Sequence, residues 1–549
     1  MEPARALEPY RLSKPEVAVF VAGITSMGLE ILALRIVAPQ FGSHIYTVGG
    51  LLTVFLAALS LGYWQGGKLA ATASNRQMRL ILLATAVYIA VVIYANDMLL
   101  LYTSTIPLPA QYASLPAVIV LFGPPTYLLG FISPYAAELS AKQSVGEASG
   151  HVYALGTIGS ILGAGATTFV LIPTLSVDGI GLLFGLSLVA TALVLDFPRP
   201  SRRTAVAVLA VTLVLFAATS SASLGLDPRG DVVYETQTPH QQLEVIDDGD
   251  ERTMYLDGAR HSAIDRSDPE RHVFAYTEYF HLGMLLHENP EDVDRVLFIG
   301  GGGYTGPQDF EDTYDVEIDV VEIDPEVTAA AEAHFGLEQS DSLRAYTEPG
   351  RQFLQETDEE YDVIVLDAFK RDQVPFELTT VEFMTLAEER LADDGVLQAN
   401  VISAPSGSAS AFYRAQYATM NEPFDHVYSF RTSDSPAIQN IQLVATNGGE
   451  RTTQKDLLER NDGDHLETDL EGHVGNLLSE PDVDDVPILE DDHAAVEALL
   501  DPMLGQQYVI EETDADVAAD TNGSDGAGDG DASATSEHAS VRGLALEPA

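Results

Sequence analysis

The chain contains no cysteine, a single tryptophan and only 28 lysines and arginines in 549 residues. Without cysteine, disulfides and thiolate metal sites are excluded. The shortage of basic residues excludes a nucleic-acid partner, because phosphate contacts need Lys and Arg. Against those 28 bases stand 82 Asp and Glu, a formal net charge of −54. The imbalance is uneven. Residues 1–225 hold 11 basic and 9 acidic side chains, the remainder 17 and 73. Acid spread over the whole polar half, with few lysines, suits a protein that stays hydrated in concentrated salt, so a halophilic source is expected.

What fills the first half instead is apolar sequence. No cleavable signal peptide is expected, since the first apolar run is too long and begins too late. Seven segments approach the ~20 residues a spanning helix needs, near 16–38, 48–67, 79–101, 115–137, 151–173, 178–195 and 203–221. The fourth contains Gly123-Pro124-Pro125 and Pro134 and is expected to be kinked or broken. The fifth carries Gly159 and Gly163 in a GxxxG spacing, which lets two helices pack closely, here within the chain. Glu30 and Arg35 lie inside the first segment. A charge in hydrocarbon marks either a working site or an arginine reaching the interface and a glutamate paired with a neighbouring helix. Trp64 and Tyr63 suit an interfacial belt. Lys and Arg precede the first segment and follow the second, fourth and sixth, so the positive-inside rule puts the N-terminus in the cytoplasm. Seven spans then place everything after residue 225 outside the cell. A co-substrate made in the cytoplasm asks for the opposite, and both sides stay open. Residues 1–225 are expected to form a polytopic α-helical membrane domain of the cell membrane.

The second half opens with alternating runs at 231–236, 242–246 and 253–256, with turns at Asp247–Asp250 and Asp257-Gly258. They predict a small β-sheet subdomain over 226–260. A helix is expected from His272 to His287. Arg295–Ile299 then reads as a buried strand, followed by Gly300, Gly301, Gly302 and Gly303, and by Pro307 in the first turn of a helix. A second strand, Val316–Val321, ends on Glu322. That carboxylate falls about 20 residues past the glycines, the offset at which such sheets place an acid on ribose hydroxyls. Further strands at 343–346, 361–366 (ending on Asp367), 395–402, 426–431 and 441–445 alternate with helices. The pattern predicts an α/β Rossmann-like, class I methyltransferase-type sheet over 261–510, with ligands at the carboxyl ends of the strands. Residues 447–483 are expected to be a mobile insertion, and the Asp-, Gly-, Ala- and Ser-rich 511–549 a disordered acidic tail.

Six stretches carry a resemblance: MYLDGARHSA (254–263), VLFIGGGGYTG (296–306), VVEIDPEV (320–327), YDVIVLDAF (361–369), PFELTTVEFM (375–384) and PILEDDHAAVEALL (487–500). Together they resemble the spermidine synthase (polyamine aminopropyltransferase) family, and in particular its membrane-fused branch. The resemblance implies decarboxylated S-adenosylmethionine as co-substrate, an amine acceptor and no metal. It implies that Glu322 binds the ribose hydroxyls, that Gly300 to Gly303 lie beside the sulfonium end, and that Gln241 contacts the nucleoside. Pro349-Gly350 stand where the family has Asp-Gly beside adenine, Pro375 flanks the base, and Asp367 matches the proton acceptor. Three places depart. Gly303 and Tyr304 stand where an aspartate follows the glycines, Lys370 replaces a second aspartate, and Tyr276-Thr277 replaces a Tyr-His pair. Either Asp372 compensates or Lys370 selects an anionic or neutral acceptor, so Tyr276, Lys370 and Asp372 are the candidate acceptor contacts. The expected partners are a small amine, the lipid bilayer and, as one alternative, a second copy of the chain. Two other readings stay open: an S-adenosylmethionine-dependent methyltransferase on the same fold, and a transporter or sensor that binds nucleoside or polyamine without turnover.

Overall fold

The computed structural model describes residues 12–41, 45–104, 106, 108–139, 145–198, 200–222, 229–269, 271–370, 374–462, 468–503, 506, 508–513 and 545–546. It divides into two compact units, 1–246 with 255–259, and 247–254 with 260–549.

The first unit is built on α1 (Lys14–Phe41), α2 (Ile45–Leu69), α3 (Asn75–Ser104), α4 (Leu115–Gly130), α5 (Ile132–Leu139), α6 (Val145–Ala166), α7 (Val177–Asp196) and α8 (Arg202–Ala222). With α4 and α5 counted as one, the described residues hold seven helices long and apolar enough to cross a membrane, of mean hydropathy 1.6 to 2.2. The fourth is interrupted, but at Phe131 rather than at Pro124-Pro125, which lie inside α4. Pro134 has no N–H to offer the Gly130 carbonyl, and Phe131 closes a tighter turn onto Leu128 O at 3.2 Å instead. The GxxxG pair lies against α1. A Cβ at Gly159 would stand 2.3 Å from Phe20 O, and one at Gly163 2.3 Å from Ile24 O. Any larger residue there would force two backbones apart. Large apolar side chains face outward on several helices, with Leu56 62%, Phe169 80% and Leu213 61% exposed.

After α8 come β1 (Asp231–Gln237), β2 (Gln242–Asp248), β3 (Glu251–Leu256) and β4 (Ala259–Asp265), paired in that order. The expected small sheet thus gains a fourth strand. Arg35, near the end of α1, donates to the carbonyls of Thr238 (2.9 Å) and Pro239 (3.0 Å), in the turn that opens β2. Its charge is therefore met by two backbone oxygens of that turn.

The second unit holds a seven-stranded sheet of β5 (Arg295–Ile299), β6 (Glu317–Glu322), β7 (Leu343–Thr347), β8 (Tyr361–Leu366), β9 (Leu391–Ser403), β10 (His426–Arg431) and β11 (Gln439–Thr446). The order is β10-β11-β9-β8-β5-β6-β7. Only β11 runs against its neighbours; the other pairs are parallel. Parallel strands need crossovers, supplied here by α10 (Thr305–Thr313), α11 (Pro325–His334), α12 (Gly350–Glu356), α13 (Val381–Glu388) and α14 (Ala411–Met420), while α9 (Leu282–Leu286) precedes β5. With both faces covered, β5 and β8 read as continuous apolar runs, and Val296, Leu297, Val363, Ile364, Val365 and Leu366 have no exposed surface. The strand order reverses between β5 and β8, the switch point at which such sheets open a crevice.

Two stretches differ from expectation. The helix expected over 272–287 is a 3₁₀ segment, Ala275–His281, running into the five-residue α9. His272 is held in a bridge to Ile264 and Phe274 in one to Glu512, which keeps that start extended. Residues 447–483, expected to be mobile, instead carry helices at Gln454–Asn461 and Glu471–Gly475. Leu457, Leu470 and Val474 are fully buried against Tyr279, Leu285 and Tyr428, an anchor that an acidic composition hides. At the start of the expected tail, Glu511 O accepts from Ala275 N at 2.9 Å. Residues 514–544 and 547–549 lie outside the described residues.

Candidate active site

The rim of the switch point is made by one loop and two strand ends. Beyond β5 the backbone turns into the left-handed region at Gly300 (φ +100°) and Gly302 (φ +51°). A Cβ on Gly300 would lie 2.2 Å from the Asp367 carbonyl oxygen, so no side chain fits there. Gly301 N donates to Glu322 Oε2 at 2.9 Å, and Asp324 N to Glu322 Oε1 at 2.9 Å. Gly303 N donates to Ser262 Oγ at 2.8 Å. One four-glycine turn therefore abuts Asp367, at the end of β8, and grips Glu322, at the end of β6. Tyr304 takes the left-handed conformation itself (φ +58°). Its fully buried ring packs beneath the loop, with its hydroxyl 2.8 Å from Thr328 Oγ1.

The two carboxylates are electrically distinct. Burial pushes Glu322 above the usual carboxylate range, against the pull of the Gly301 and Asp324 N–H groups. Asp367 accepts from Asn400 Nδ2 at 2.8 Å through Oδ1. Burial pushes its pKa up to about 6; the Asn400 hydrogen bond lowers it and the Glu322 charge raises it further. Such a carboxylate is ionised at neutral pH yet more basic than an ordinary aspartate, as a general base must be.

Asn400 is itself held from behind. Asn440 Nδ2 (2.9 Å) and Gln442 Nε2 (3.0 Å) both donate to its Oδ1. Tyr508 donates to Asn440 Oδ1 at 2.7 Å, and Gln398 Nε2 to Gln442 Oε1 at 3.0 Å. These amides form a buried chain across β9 and β11 that ends on Asp367. On the other side, the Tyr276 hydroxyl donates to His261 O at 3.2 Å. Burial and the Asp367 charge hold that phenol well above its ordinary pKa. Burial, then the Lys370 charge, brings His261 down to about 4, leaving it neutral at physiological pH.

Of the residues singled out from sequence, Gly300 to Gly303, Glu322 and Asp367 meet at this rim. Pro349-Gly350 follow β7, the strand beside β6, as the cap and first residue of α12. Pro375 caps a short 3₁₀ turn after β8. Tyr276 lies close enough to Asp367 to be shifted by its charge, and Lys370 close enough to His261 to shift it. Asp372 lies outside the described residues. Gln241 belongs to the first unit, buried in the turn where Thr238 N donates to its carbonyl at 2.9 Å. Sequence reasoning passed over Ser262, His261 and the amide chain. The chain had a signal: Gln398 and Asn400, like Asn440 and Gln442, alternate with apolar residues and so share one face of a core strand.

A mostly parallel sheet of this order, with a glycine loop and an acid at its switch point, is the architecture of the nucleoside-binding α/β class of protein. The family description "Spermine/spermidine synthase domain" matches residues 273–408. The polyamine aminopropyltransferase of Vibrio vulnificus is 31% identical over 209 residues, covering 36% of this chain and 67% of that protein. A probable polyamine aminopropyl transferase of Bifidobacterium longum is 27% identical, covering 40% of this chain and 52% of its own length. The crystal structure of spermidine synthase from Thermotoga maritima aligns at 21% identity with a TM-score of 0.37, covering 45% of this chain and 84% of that one. The chain belongs to the spermine/spermidine synthase family. It spans between half and two thirds of the length of the two enzymes compared.

Proposed function

We propose that the second unit transfers the aminopropyl group of decarboxylated S-adenosylmethionine to a small amine. The observation that carries this reading is the glycine loop that abuts Asp367 and binds Glu322 at 2.9 Å. A nucleoside sulfonium seated at this loop would meet Glu322 on its ribose side and Asp367 on its reacting side, with Pro349, Gly350 and Pro375 toward the base. The acceptor nitrogen attacks the carbon beside the sulfonium. The C–S bond breaks, its electron pair leaves with sulfur as a neutral thioether, and a C–N bond forms. The proton shed by the nitrogen passes to Asp367. Lys370, cationic and near enough to depress His261, disfavours a second ammonium at that end of the site. The acceptor is accordingly an amine whose far end is neutral or anionic.

The helical unit is read as lying in a lipid bilayer. Its support is seven helices of spanning length and the apolar side chains they turn outward, which in water would form an unusually large exposed patch. A high-salt working medium is read from the charge of −54. The test is incubation of the purified full-length protein with labelled decarboxylated S-adenosylmethionine and, separately, S-adenosylmethionine, over diamines, monoamines and amino-carboxylates. Aminopropyl transfer to an acceptor without a second ammonium is expected. Methyl transfer, or no turnover with either donor, overturns the reading.

A further inference from the structure

Behind the rim, three side chains outside the transfer chemistry converge. His272 precedes the 3₁₀ segment Ala275–His281, His281 closes it, and Asp309 lies on α10. His272 Nε2 is 3.2 Å from Asp309 Oδ1, and His281 Nε2 is 2.7 Å from Asp309 Oδ2. One donor atom from each lies within 4.8 Å of the others. Donors bound to a cation at about 2.0–2.1 Å stand roughly 3 Å apart, so this spacing already suits a shared ion.

The outer nitrogens of both rings are engaged. His272 Nδ1 is 2.8 Å from Thr277 Oγ1, and His281 Nδ1 is 2.8 Å from the Tyr314 hydroxyl. Thr277 gives its own proton to Phe274 O at 2.8 Å, so toward His272 it can only accept. The His272 proton therefore sits on Nδ1, and in the neutral ring Nε2 turns a lone pair toward Asp309. His281 is 1% exposed and stacked on Phe310, with ring centroids 4.9 Å apart, so it has no room to turn away. Asp309 Oδ2 is buried, with His281 Nε2 2.7 Å away. Rings oriented through one nitrogen, with the other aimed inward, are the usual arrangement of metal-ligating histidines.

We propose that His272 Nε2, His281 Nε2 and the Asp309 carboxylate bind a divalent transition-metal cation of the zinc type. Two imidazoles and one carboxylate favour Zn²⁺ and its neighbours over Mg²⁺ or Ca²⁺, which prefer oxygen alone. Water completes the shell on the side where Asp309 is 24% exposed. The ion takes no step in group transfer. It ties the segment bearing Tyr276 to α10, which starts from the glycine loop.

The test is titration of chelator-treated full-length protein with Co²⁺ and then Zn²⁺. One equivalent of Co²⁺ should give the visible bands of a low-coordinate cobalt site, and Zn²⁺ should abolish them. Asp309→Asn and His272→Gln, both near-isosteric, should each weaken binding at least tenfold while leaving the thermal unfolding profile cooperative. Thr277→Val, which removes the acceptor that fixes the His272 proton, should weaken it roughly 10–100-fold. The proposal is overturned if the wild-type protein gives no stoichiometric bands. It is equally overturned if the bands persist in Asp309→Asn and His272→Gln, since the ion then sits elsewhere among the surface acids.

Discussion

Asp367 has to hold two properties at once: it must be charged when the amine arrives, and basic enough to keep the proton it takes. A pKa near 6 provides both at neutral pH, whereas an ordinary aspartate near 4 would be the poorer base. The acid limb of the rate against pH should therefore bend near 6 and fall tenfold per pH unit below it. A limb bending near 4 would mean that Asp367 is not the titrating group. Asp367→Asn keeps the oxygen that accepts from Asn400 but cannot take the proton, and should lower turnover by roughly 10²–10⁴-fold with nucleoside binding intact. The same shift has a stability side. A carboxyl whose pKa is raised by folding binds its proton more tightly in the folded state, so stability falls as pH rises from about 4 to about 6. Asp367→Asn should therefore unfold at a higher temperature than the parent at pH 7 but not at pH 4. Calorimetry at the two values checks the sign, and an equal change at both would exclude charge burial as the cause. Glu322 plays the other part. Glu322→Ala leaves the Gly301 and Asp324 N–H groups without their acceptor, so nucleoside affinity should drop by at least tenfold in a calorimetric titration, and because the Glu322 charge raises the Asp367 pKa, the acid limb of any residual turnover should move below 6.

At the scale of elements, the sheet positions Asp367 through a chain that never reaches solvent. Gln398, Asn400, Asn440 and Gln442 are each 0–3% exposed. Replacing Asn400 by Leu removes a donor to Asp367 and strands two amide donors, at a cost of roughly 2–4 kcal/mol. Because that hydrogen bond lowers the Asp367 pKa, the acid limb of Asn400→Leu should move above 6 while Asn400→Gln falls between. A loss of stability with no movement of the limb would reduce the chain to a packing role. This network also marks where the sequence stops being informative. Strand and glycine patterns located β5, β6 and β8 nearly to the residue, because alternation, length and turn chemistry are local. The rim followed from them, since Glu322 and Asp367 each close a strand. The amide chain depends on β9 lying antiparallel to β11 with Asn400 opposite Gln442, a register set only when the sheet assembles. The 3₁₀ segment likewise depends on Phe274 bridging Glu512, more than two hundred residues away, which no window along the chain contains.

At the scale of the whole molecule, charge and topology each make a demand. With a net charge of −54, self-repulsion opposes folding until salt shortens its range, from about 10 Å at 0.1 M to about 3 Å at 1 M. The unfolding midpoint should rise on the order of 5–15 °C between 0.1 and 2 M KCl, and a flat response would remove the case for a high-salt medium. Topology is the sharper demand. Arg35 stands near the end of α1, and its hydrogen bonds fix the turn at Thr238-Pro239 there, at the end of the first helix away from the N-terminus. If all seven candidate helices cross, they lead to the same side, because an odd number carries the chain across. In the bilayer reading, the N-terminus and the residues after α8 must therefore face opposite compartments. In sealed vesicles of one orientation, an N-terminal tag and the 231–513 region should never be cut by protease from the same side. Accessibility of both from one face would mean that one apolar helix does not cross. In that reading Arg76 and Arg79, at the start of α3, and Lys142, after the fourth span in the sequence, fall on the N-terminal side of the alternation, which the positive-inside rule would make the cytoplasmic one. Protease added to intact cells should then digest the catalytic unit, and a donor nucleoside would have to reach Asp367 from outside.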